Sequence, residues 1–300
     1  MKNFFKYIFL VLVGVGIIDI SYRFVCDFFY MHPTDNSYVN KYYTFIHYDT
    51  PCQFVILGAS TAEHSYIPQQ IEDSLNVSAY NMGWAGRSVI YQYLSLLKAL
   101  ENGELKTVIL NLSTSQMSDE WIEDRISELH PFYWRNDTIR EIVKEIEGNY
   151  MDFLLCSGLI QFNSSLDNLL RTEKSKKGYI PLKYTGKPVT INERKNEITN
   201  YNPIAIKYLK KMKQTCKTND IHLIVCLTPD LAITDNEQNA LVSLCKRNDI
   251  EVWNMTDTVS DPLLFKDDHH LNEKGAEKFM SIFIEKYKRE YGVVPFDMNL

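Results

Sequence analysis

The sequence contains no extended basic cluster, since no run of Lys or Arg is longer than two residues. The formal net charge is −6 at pH 7, and the isoelectric point is near 5.7. A protein that binds a phosphate backbone needs a continuous positive surface. We therefore expect no nucleic-acid partner, and we assign the 19 Tyr and 15 Phe residues mainly to the core.

Glycine and proline are also few, with 12 and 10 residues among 300. Apolar residues make up 45% of the chain and charged residues 23%. This composition excludes collagen-like and low-complexity architectures and disfavours long disorder. The length suits one sizeable domain with a small appendage.

Motifs of metal and redox sites are missing as well. The six cysteines form no C-x-x-C pair, and neither H-x-H nor H-E-x-x-H occurs. We therefore predict no zinc site, no thioredoxin-like site and no cofactor. Cys226 lies in a strand-like run and Cys245 on a helix-like face, so both are expected to be buried thiols.

The N-terminal segment carries an uninterrupted apolar run from Tyr7 to Ile18. It reaches about twenty residues when charged residues near its ends are included, which is enough to cross roughly 30 Å of hydrocarbon. Lys2 and Lys6 favour a cytoplasmic N-terminus. We predict a single-pass anchor in the cytoplasmic membrane over residues 1–26, a connector over 27–52, and an extracytoplasmic domain beyond it.

Two other interpretations of this run stay open. A cleaved signal peptide needs small residues after the apolar stretch, and Arg23-Phe24-Val25-Cys26 supplies none. The bulky residues before Cys26 also disfavour lipid attachment there. A buried N-terminal core helix would have the same apolar pattern.

Five short β-rich runs alternate with amphipathic stretches along the rest of the chain. Their hydrophobicity is continuous rather than alternating, as in strands that are covered on both faces. The pattern predicts an α/β fold, a flavodoxin-like three-layer sandwich with about five parallel strands. The strands are predicted at Gln53–Ala59, Ser78–Met82, Thr107–Leu112, Ile221–Thr228 and Ile250–Met255. The helices are predicted at about 66–75, 88–101, 203–218, 235–247 and 272–290.

Residues 117–200 interrupt this alternation. They lie between the third and fourth strands of one sheet, which indicates an insertion in a single domain over 53–300. Within it we predict helices near Thr138–Glu147 and Met151–Leu170, followed by a Lys-rich loop at Thr172–Lys187.

Ser60 follows the first predicted strand and begins a helical segment. In open parallel sheets, functional residues collect at the carboxyl ends of the strands. A serine there has its Oγ at a helix N-terminus, where free N–H groups favour a developing anion, so Ser60 is a candidate nucleophile. The second glycine of the G-x-S-x-G elbow is absent, and a plain helix cap would also place a serine here.

The chain carries a D-x-x-H pattern, Asp267 to His270, just before the last helix. A carboxylate three residues before a histidine can bond its Nδ1–H and leave Nε2 free to deprotonate a serine. Helix capping and metal binding are the alternatives, although metal would need further ligands. Gly86, after the second strand, could form an oxyanion hole with the N–H of Ser60. Alone, it could equally be a turn glycine.

These blocks together resemble the SGNH/GDSL hydrolase superfamily over roughly residues 53–290. Gly58-Ala59-Ser60 resembles its first block, Asn81–Gly86 its second and Asp267–Asn272 its last. The segments LGASTAEHSYIP and YNMGWAGRS, with the preceding anchor, are similar to the membrane-anchored branch that includes the teichoic acid D-alanyl transfer protein and alginate O-acetylation proteins. The third block departs from the G-x-N-D pattern, since Ser113-Thr114-Ser115-Gln116 stands there.

The resemblance implies a Ser60–His270–Asp267 triad and an oxyanion hole of Ser60 and Gly86, with Ser115 or Gln116 as third donor. It implies an esterase or O-acyltransferase acting on polysaccharide or another cell-envelope polymer, beside a membrane-bound O-acyltransferase. Two alternatives remain. One is a non-catalytic glycan-binding or scaffold protein of the same fold, and the other is a phospholipase or lysophospholipase.

Overall fold

The computed structural model describes residues 2–32, 51–101, 103–123, 125–163, 175–191 and 197–292. The chain divides into two compact units. One consists of Met1–Ile46 and Glu123–Glu173, and the other of His47–Ile122 and Lys174–Leu300. Residues 33–50 of the predicted connector lie outside the described residues. The limits predicted for the anchor, the connector and the insertion stay predictions.

The second unit contains the predicted parallel sheet. Its strand order is β2-β1-β3-β4-β5, the flavodoxin-like order, and every neighbouring pair is parallel. Each strand lies within one or two residues of its predicted limits, so the predicted α/β fold is confirmed. The strands are β1 (Phe54–Leu57), β2 (Ala79–Asn81), β3 (Thr107–Asn111), β4 (His222–Leu227) and β5 (Glu251–Asn254).

Outside residues 117–200, the α-helices follow the predicted pattern with two differences. An additional short helix begins at Ser60, and the helix predicted from residue 66 begins at Pro68, where proline suits the first helical position. In chain order they are α1 (Lys2–Met31), α2 (Ser60–Ser65), α3 (Pro68–Leu75), α4 (Val89–Leu100), α5 (Asp119–Glu123), α6 (Asp137–Glu147), α7 (Met151–Leu154), α8 (Gly158–Gln161), α9 (Pro203–Thr218), α10 (Asp235–Arg247) and α11 (Glu273–Tyr291).

Helices cover both faces of the sheet. Phe54 and Ile56 of β1 belong to one core cluster with Tyr66 and the α11 residues Phe279 and Phe283. The alternate residues of β1 are fully buried as well, and α4 packs against this strand and against α9. Central strands that are covered on both faces account for the continuous apolar runs in the sequence.

A segment that we call the strap, residues 175–191, holds the edge of the sheet at β2. The Asn81 N–H donates to the Lys177 carbonyl over 3.0 Å, and Lys177 pairs with Glu72 of α3. Further along, the Leu182 carbonyl accepts the Glu273 N–H at the start of α11 over 2.7 Å. The strap thus contacts both β2, which precedes the predicted insertion, and the start of α11, which follows it.

The first unit contains α1 and the helices α6 to α8. From Asn3 to Met31, α1 is long and apolar enough to cross a membrane, and a signal sequence would share those properties. The single helix predicted near Met151–Leu170 is wrong. Helix α7 ends at Leu154, and α8 begins at Gly158 after Ser157, whose Oγ accepts the N–H of Ile160. Residues 164–170 lie outside the described part of the chain.

All six cysteines are free thiols, and Cys226 and Cys245 are buried as predicted. Burial raises the pKa of both thiols to about 12. A thiol with so high a pKa is protonated near neutral pH and is therefore a poor nucleophile. Neither thiol is therefore a candidate nucleophile.

Candidate active site

Ser60 is the first residue of α2, directly beyond the end of β1. The turn between them depends on Gly58, which has a φ of +152°. A Cβ at Gly58 would lie 2.6 Å from the Cβ of Ala62 and 2.9 Å from the carbonyl oxygen of Asn111. Only glycine allows α2 to approach β3 this closely. The G-x-S sequence thus brings the serine to the carboxyl edge of the sheet.

His270 lies within hydrogen-bonding distance of this serine. The distance between Ser60 Oγ and His270 Nε2 is 2.7 Å. On the other side of the ring, Nδ1 lies 2.8 and 2.9 Å from the two carboxylate oxygens of Asp267. A carboxylate can only accept a hydrogen bond, so the ring proton is on Nδ1 and Nε2 carries the lone pair. Nε2 therefore accepts the hydrogen bond that the Ser60 hydroxyl donates. The three side chains form one continuous hydrogen-bond chain.

The Asp267 carboxylate is also held by its own loop. Its Oδ1 accepts the backbone N–H groups of His269 and His270, each over 2.9 Å. Burial disfavours the charged form, but the hydrogen bonds and charge of His270 and these two N–H groups outweigh it. The pKa of the Asp267 carboxyl therefore lies well below its ordinary value. Asp267 is ionised throughout the neutral range and fixes the tautomer of His270.

The loop that carries both residues is closed by Asn272. The Asn272 Oδ1 caps α11 by accepting two N–H groups of its first turn, over 3.1 Å each. Its amide donates to the carbonyls of Leu263 and Phe265, over 2.8 and 3.1 Å. Between these anchors, the Lys266 N–H donates to the His270 carbonyl over 2.7 Å. The conformation that presents His270 is thus fixed by the backbone and not only by its bond to Ser60.

Two further histidines lie near His270, and neither is a predicted site residue. The ring centroid of His64 lies 5.7 Å from that of His270, edge to face, and its Nδ1 donates to the Ile180 carbonyl in the strap over 2.8 Å. His269 bonds Asp230 through Nδ1 over 2.9 Å. His64 stands four residues after Ser60, which is one helical turn, and that spacing could have pointed to it.

The predicted oxyanion donors Ser60 and Gly86 are free to donate. Gly86 lies in the turn after β2 with a φ of +72°. Among the described residues, neither the Ser60 nor the Gly86 backbone N–H has an acceptor. In contrast, Asn111 is fully committed, because its side chain bonds Thr61, the Cys226 carbonyl and Thr228. Asn111 is therefore not available to replace the third-block asparagine.

The two candidates for the third donor differ in environment. Ser115 is half-buried, whereas Gln116 is 0% exposed. Within the described part of the chain, neither the oxygen nor the nitrogen of the Gln116 amide has a hydrogen-bond partner. A buried amide without partners costs about 1–3 kcal/mol. No hydrogen bond among the described residues joins Gly86, Ser115 or Gln116 to the triad.

No group of three or more His, Cys, Asp or Glu side chains in the described ranges is arranged to hold a metal ion. His269 and His270 each bond a carboxylate.

No protein-family model and no curated protein matches the chain. Solved structures that resemble it include a GDSL-like lipase from Bacteroides thetaiotaomicron, with 13% identity, a TM-score of 0.37, and coverage of 78% of this chain and 88% of the other. An acetyl xylan esterase is also similar, with 12% identity, a TM-score of 0.39, and coverage of 79% and 99%. What this chain does is therefore inferred from its own side chains.

Proposed function

We propose that this protein is a membrane-anchored serine esterase or O-acyltransferase that forms an acyl-enzyme on Ser60. The observation that carries the proposal is the hydrogen-bond chain from Ser60 Oγ through His270 to Asp267. A serine, an imidazole in the basic tautomer and an ionised carboxylate in this order are the parts of nucleophilic acyl transfer.

The first half-reaction follows from this geometry. Ser60 Oγ attacks the carbonyl carbon of an ester while His270 Nε2 takes its proton. The tetrahedral intermediate carries an oxyanion, which the N–H groups of Ser60 and Gly86 stabilise, with Gln116 or Ser115 as third donor. His270 then returns the proton to the leaving alcohol, the ester bond breaks, and the acyl group stays on Ser60. Asp267 stabilises the imidazolium in between.

The second half-reaction repeats these steps with a different nucleophile. His270 deprotonates either water, which releases the free acid, or a sugar hydroxyl, which receives the acyl group. The resemblance of the sequence blocks to the anchored branch supports acylated glycans or another envelope polymer as substrate. It also supports a membrane-bound O-acyltransferase as partner. The length and apolar surface of α1, with Lys2 and Lys6 in its first two turns, support a single-pass anchor and an extracytoplasmic domain.

The test is covalent labelling of the full-length protein in detergent with a fluorophosphonate, read by intact mass and peptide mapping. We expect one adduct, on Ser60, that is absent in Ser60→Ala and forms far more slowly in His270→Ala. Ser65→Ala is the matched control, since Ser65 is a buried serine of the same helix, and it should label like wild type. A folded protein that forms no adduct would contradict the enzyme proposal and favour the non-catalytic binding or scaffold function.

The substrate class needs a separate assay. The purified protein is given an O-acetylated oligosaccharide or a lysophospholipid, with and without an unacetylated oligosaccharide as acceptor. Release of acetate from the oligosaccharide supports the glycan proposal, and a new ester on the acceptor identifies transfer. Turnover of the lysophospholipid alone contradicts the glycan proposal while leaving the acyl-enzyme intact.

A further inference from the structure

Residues 150–162, which we call the clip, are attached to the apolar helix α1 by two charged residues. Asp19 accepts three hydrogen bonds from the clip, from Ser157 Oγ over 2.6 Å and from the N–H groups of Gly158 and Leu159 over 2.9 and 3.0 Å. One turn further along α1, Arg23 donates to the carbonyls at the end of α7. These carbonyls belong to Leu155 and Cys156, at 3.0 and 2.7 Å.

The backbone of the clip lies directly against α1. A Cβ at Gly158 would lie 2.7 Å from both the Arg23 Cβ and the Asp19 carbonyl oxygen. Further along the clip, the Tyr22 hydroxyl donates to the Phe162 carbonyl over 3.2 Å. The clip therefore lies beside α1 at the level of residues 19–23.

The clip exposes large apolar side chains at this level. Phe153 is 82% exposed and Tyr150 61%, and Leu159 and Ile160 are also exposed. Asp152 is the only charged residue between positions 149 and 163, and it forms ion pairs with Arg140 and Lys144. The clip thus presents a surface with almost no uncompensated charge.

The exposed apolar surface of α1 continues past the clip. Phe4 and Phe29 are both exposed, and so are most large apolar residues between them, including Phe24 and Phe28 beyond Arg23. From Phe4 to Phe29 the helix rises about 38 Å, whereas the hydrocarbon core of a bilayer is about 30 Å thick. The level of Asp19 and Arg23 therefore falls inside the range over which α1 is apolar.

Unpaired charges and unpaired backbone groups are costly inside the hydrocarbon core of a bilayer. Asp19 and Arg23 avoid this cost because the clip bonds both, and they in turn satisfy backbone groups at the facing ends of α7 and α8. Aromatic side chains such as Tyr150 and Phe153 suit the boundary between hydrocarbon and headgroups. At the level of the clip, α1 also exposes large apolar side chains. The medium that surrounds α1 there therefore surrounds the clip as well.

We propose that the clip is a second membrane-contacting element, which inserts Tyr150, Phe153, Leu159 and Ile160 into the lipid boundary around the C-terminal half of α1. The occupant of this surface is lipid. The inference rests on the membrane anchor of the proposed function, and the test separates the two.

Cys156 supplies a native reporter, because it is exposed in the clip while the other five cysteines are buried. The full-length protein is labelled there with a nitroxide and reconstituted in nanodiscs of phosphatidylcholine and phosphatidylglycerol. Collision rates with oxygen, which concentrates in lipid, and with a water-soluble nickel chelate are measured. Reference labels are introduced into Cys156→Ser protein, as Val11→Cys on α1 and as Lys210→Cys on α9.

We expect the ratio of oxygen to nickel collisions at Cys156 to be several-fold above that at Lys210→Cys and below that at Val11→Cys, which lies deeper in the hydrocarbon. Phe153→Asp should lower the ratio at Cys156. Ile191→Asp, which changes an exposed isoleucine outside the clip, should leave it unchanged.

A ratio at Cys156 equal to that at Lys210→Cys overturns the proposal. If Val11→Cys is then still lipid-exposed, the anchor stands and only the clip inference fails. If Val11→Cys is also aqueous, both fail. Exclusion of both reagents from Cys156 means that protein covers the clip, which also contradicts lipid as its occupant.

Discussion

Ser60 and His270 stand 210 positions apart in the chain, and their side chains meet with 2.7 Å between Oγ and Nε2. The parallel sheet explains how, because β1 ends just before Ser60 and α11 follows the loop of His270. The C-terminal helix packs against α2 and α3 on one face of that sheet. The contact is therefore a product of the topology.

Asp267→Asn should lower kcat by about 10²- to 10⁴-fold. An asparagine can still contact Nδ1, but its NH2 group can donate to an unprotonated Nδ1. The ring proton is then on Nε2, and His270 can no longer accept the Ser60 proton. The measurement is steady-state hydrolysis of a chromogenic acetyl ester. Asp268→Asn is the matched control, since Asp268 lies 3.5 Å from His269 and its side chain is not part of the chain to Ser60. Equal losses in both variants would contradict the role of Asp267.

The low pKa of Asp267 predicts an acid-dependent stability. The unfolded carboxyl titrates near roughly 3.9, and the folded pKa lies below that value. Asp267 therefore contributes its full stabilisation above the unfolded pKa and loses it as the pH falls through the folded pKa. Urea unfolding of wild type and Asp267→Asn should show a difference in free energy that is constant near neutral pH and shrinks in acid. A difference independent of pH down to pH ~3 would contradict this linkage.

Gln116→Met tests the third oxyanion donor. Methionine has a similar volume and no amide, so it removes the buried polar atoms that lack partners and should not lower the free energy of unfolding. If the amide stabilises the oxyanion, kcat falls by about 10²- to 10³-fold. The comparison is Ser115→Ala, assayed for kcat and for thermal unfolding. Unchanged kcat in Gln116→Met together with a loss in Ser115→Ala would transfer the role to Ser115.

The strap offers a matched pair of glycines. Gly178 and Gly186 have φ values of +84° and +71°, so alanine costs backbone strain at both. A Cβ at Gly178 would lie 1.7 Å from the Asn81 carbonyl oxygen, whereas the nearest atom at Gly186 is 3.9 Å away. Gly178→Ala should therefore lower the free energy of unfolding by about 1–3 kcal/mol more than Gly186→Ala, as measured by urea denaturation. Equal losses in the free energy of unfolding would mean that the strap can move away from β2 without destabilising the protein.

The sheet could be predicted from the sequence because its information is local. Thr107–Leu112 was predicted as a strand, and the observed strand is Thr107–Asn111, since a short continuous run of buried apolar residues has few alternatives. The D-x-x-H pair is local too, and the Asp267–His270 hydrogen bond follows its spacing. The catalytic roles given to these residues stay predictions until they are tested.

The limits of helix α2 and the break between α7 and α8, which the sequence did not predict, depend on distant partners. Helix α2 has six residues and no apolar repeat, and tertiary contacts fix it through Gly58 and Asn81, whose amide bonds the carbonyls of Ala62 and Tyr66. The helix predicted over Met151–Leu170 breaks where Asp19 bonds the backbone at Gly158. Helical periodicity contains no information on such a partner, which is more than 130 positions away.

The separation of Ser60 from His270 also constrains the order of events during synthesis. A chain leaves the ribosome from its N-terminus, and its early segments can fold first. The serine, α1 and the first strands are complete long before His270 and α11 are made. Until then the Ser60 hydroxyl has no contact with His270. On the proposed function, the serine of an incomplete chain is therefore inert, and acyl transfer begins only when the C-terminal helix has docked.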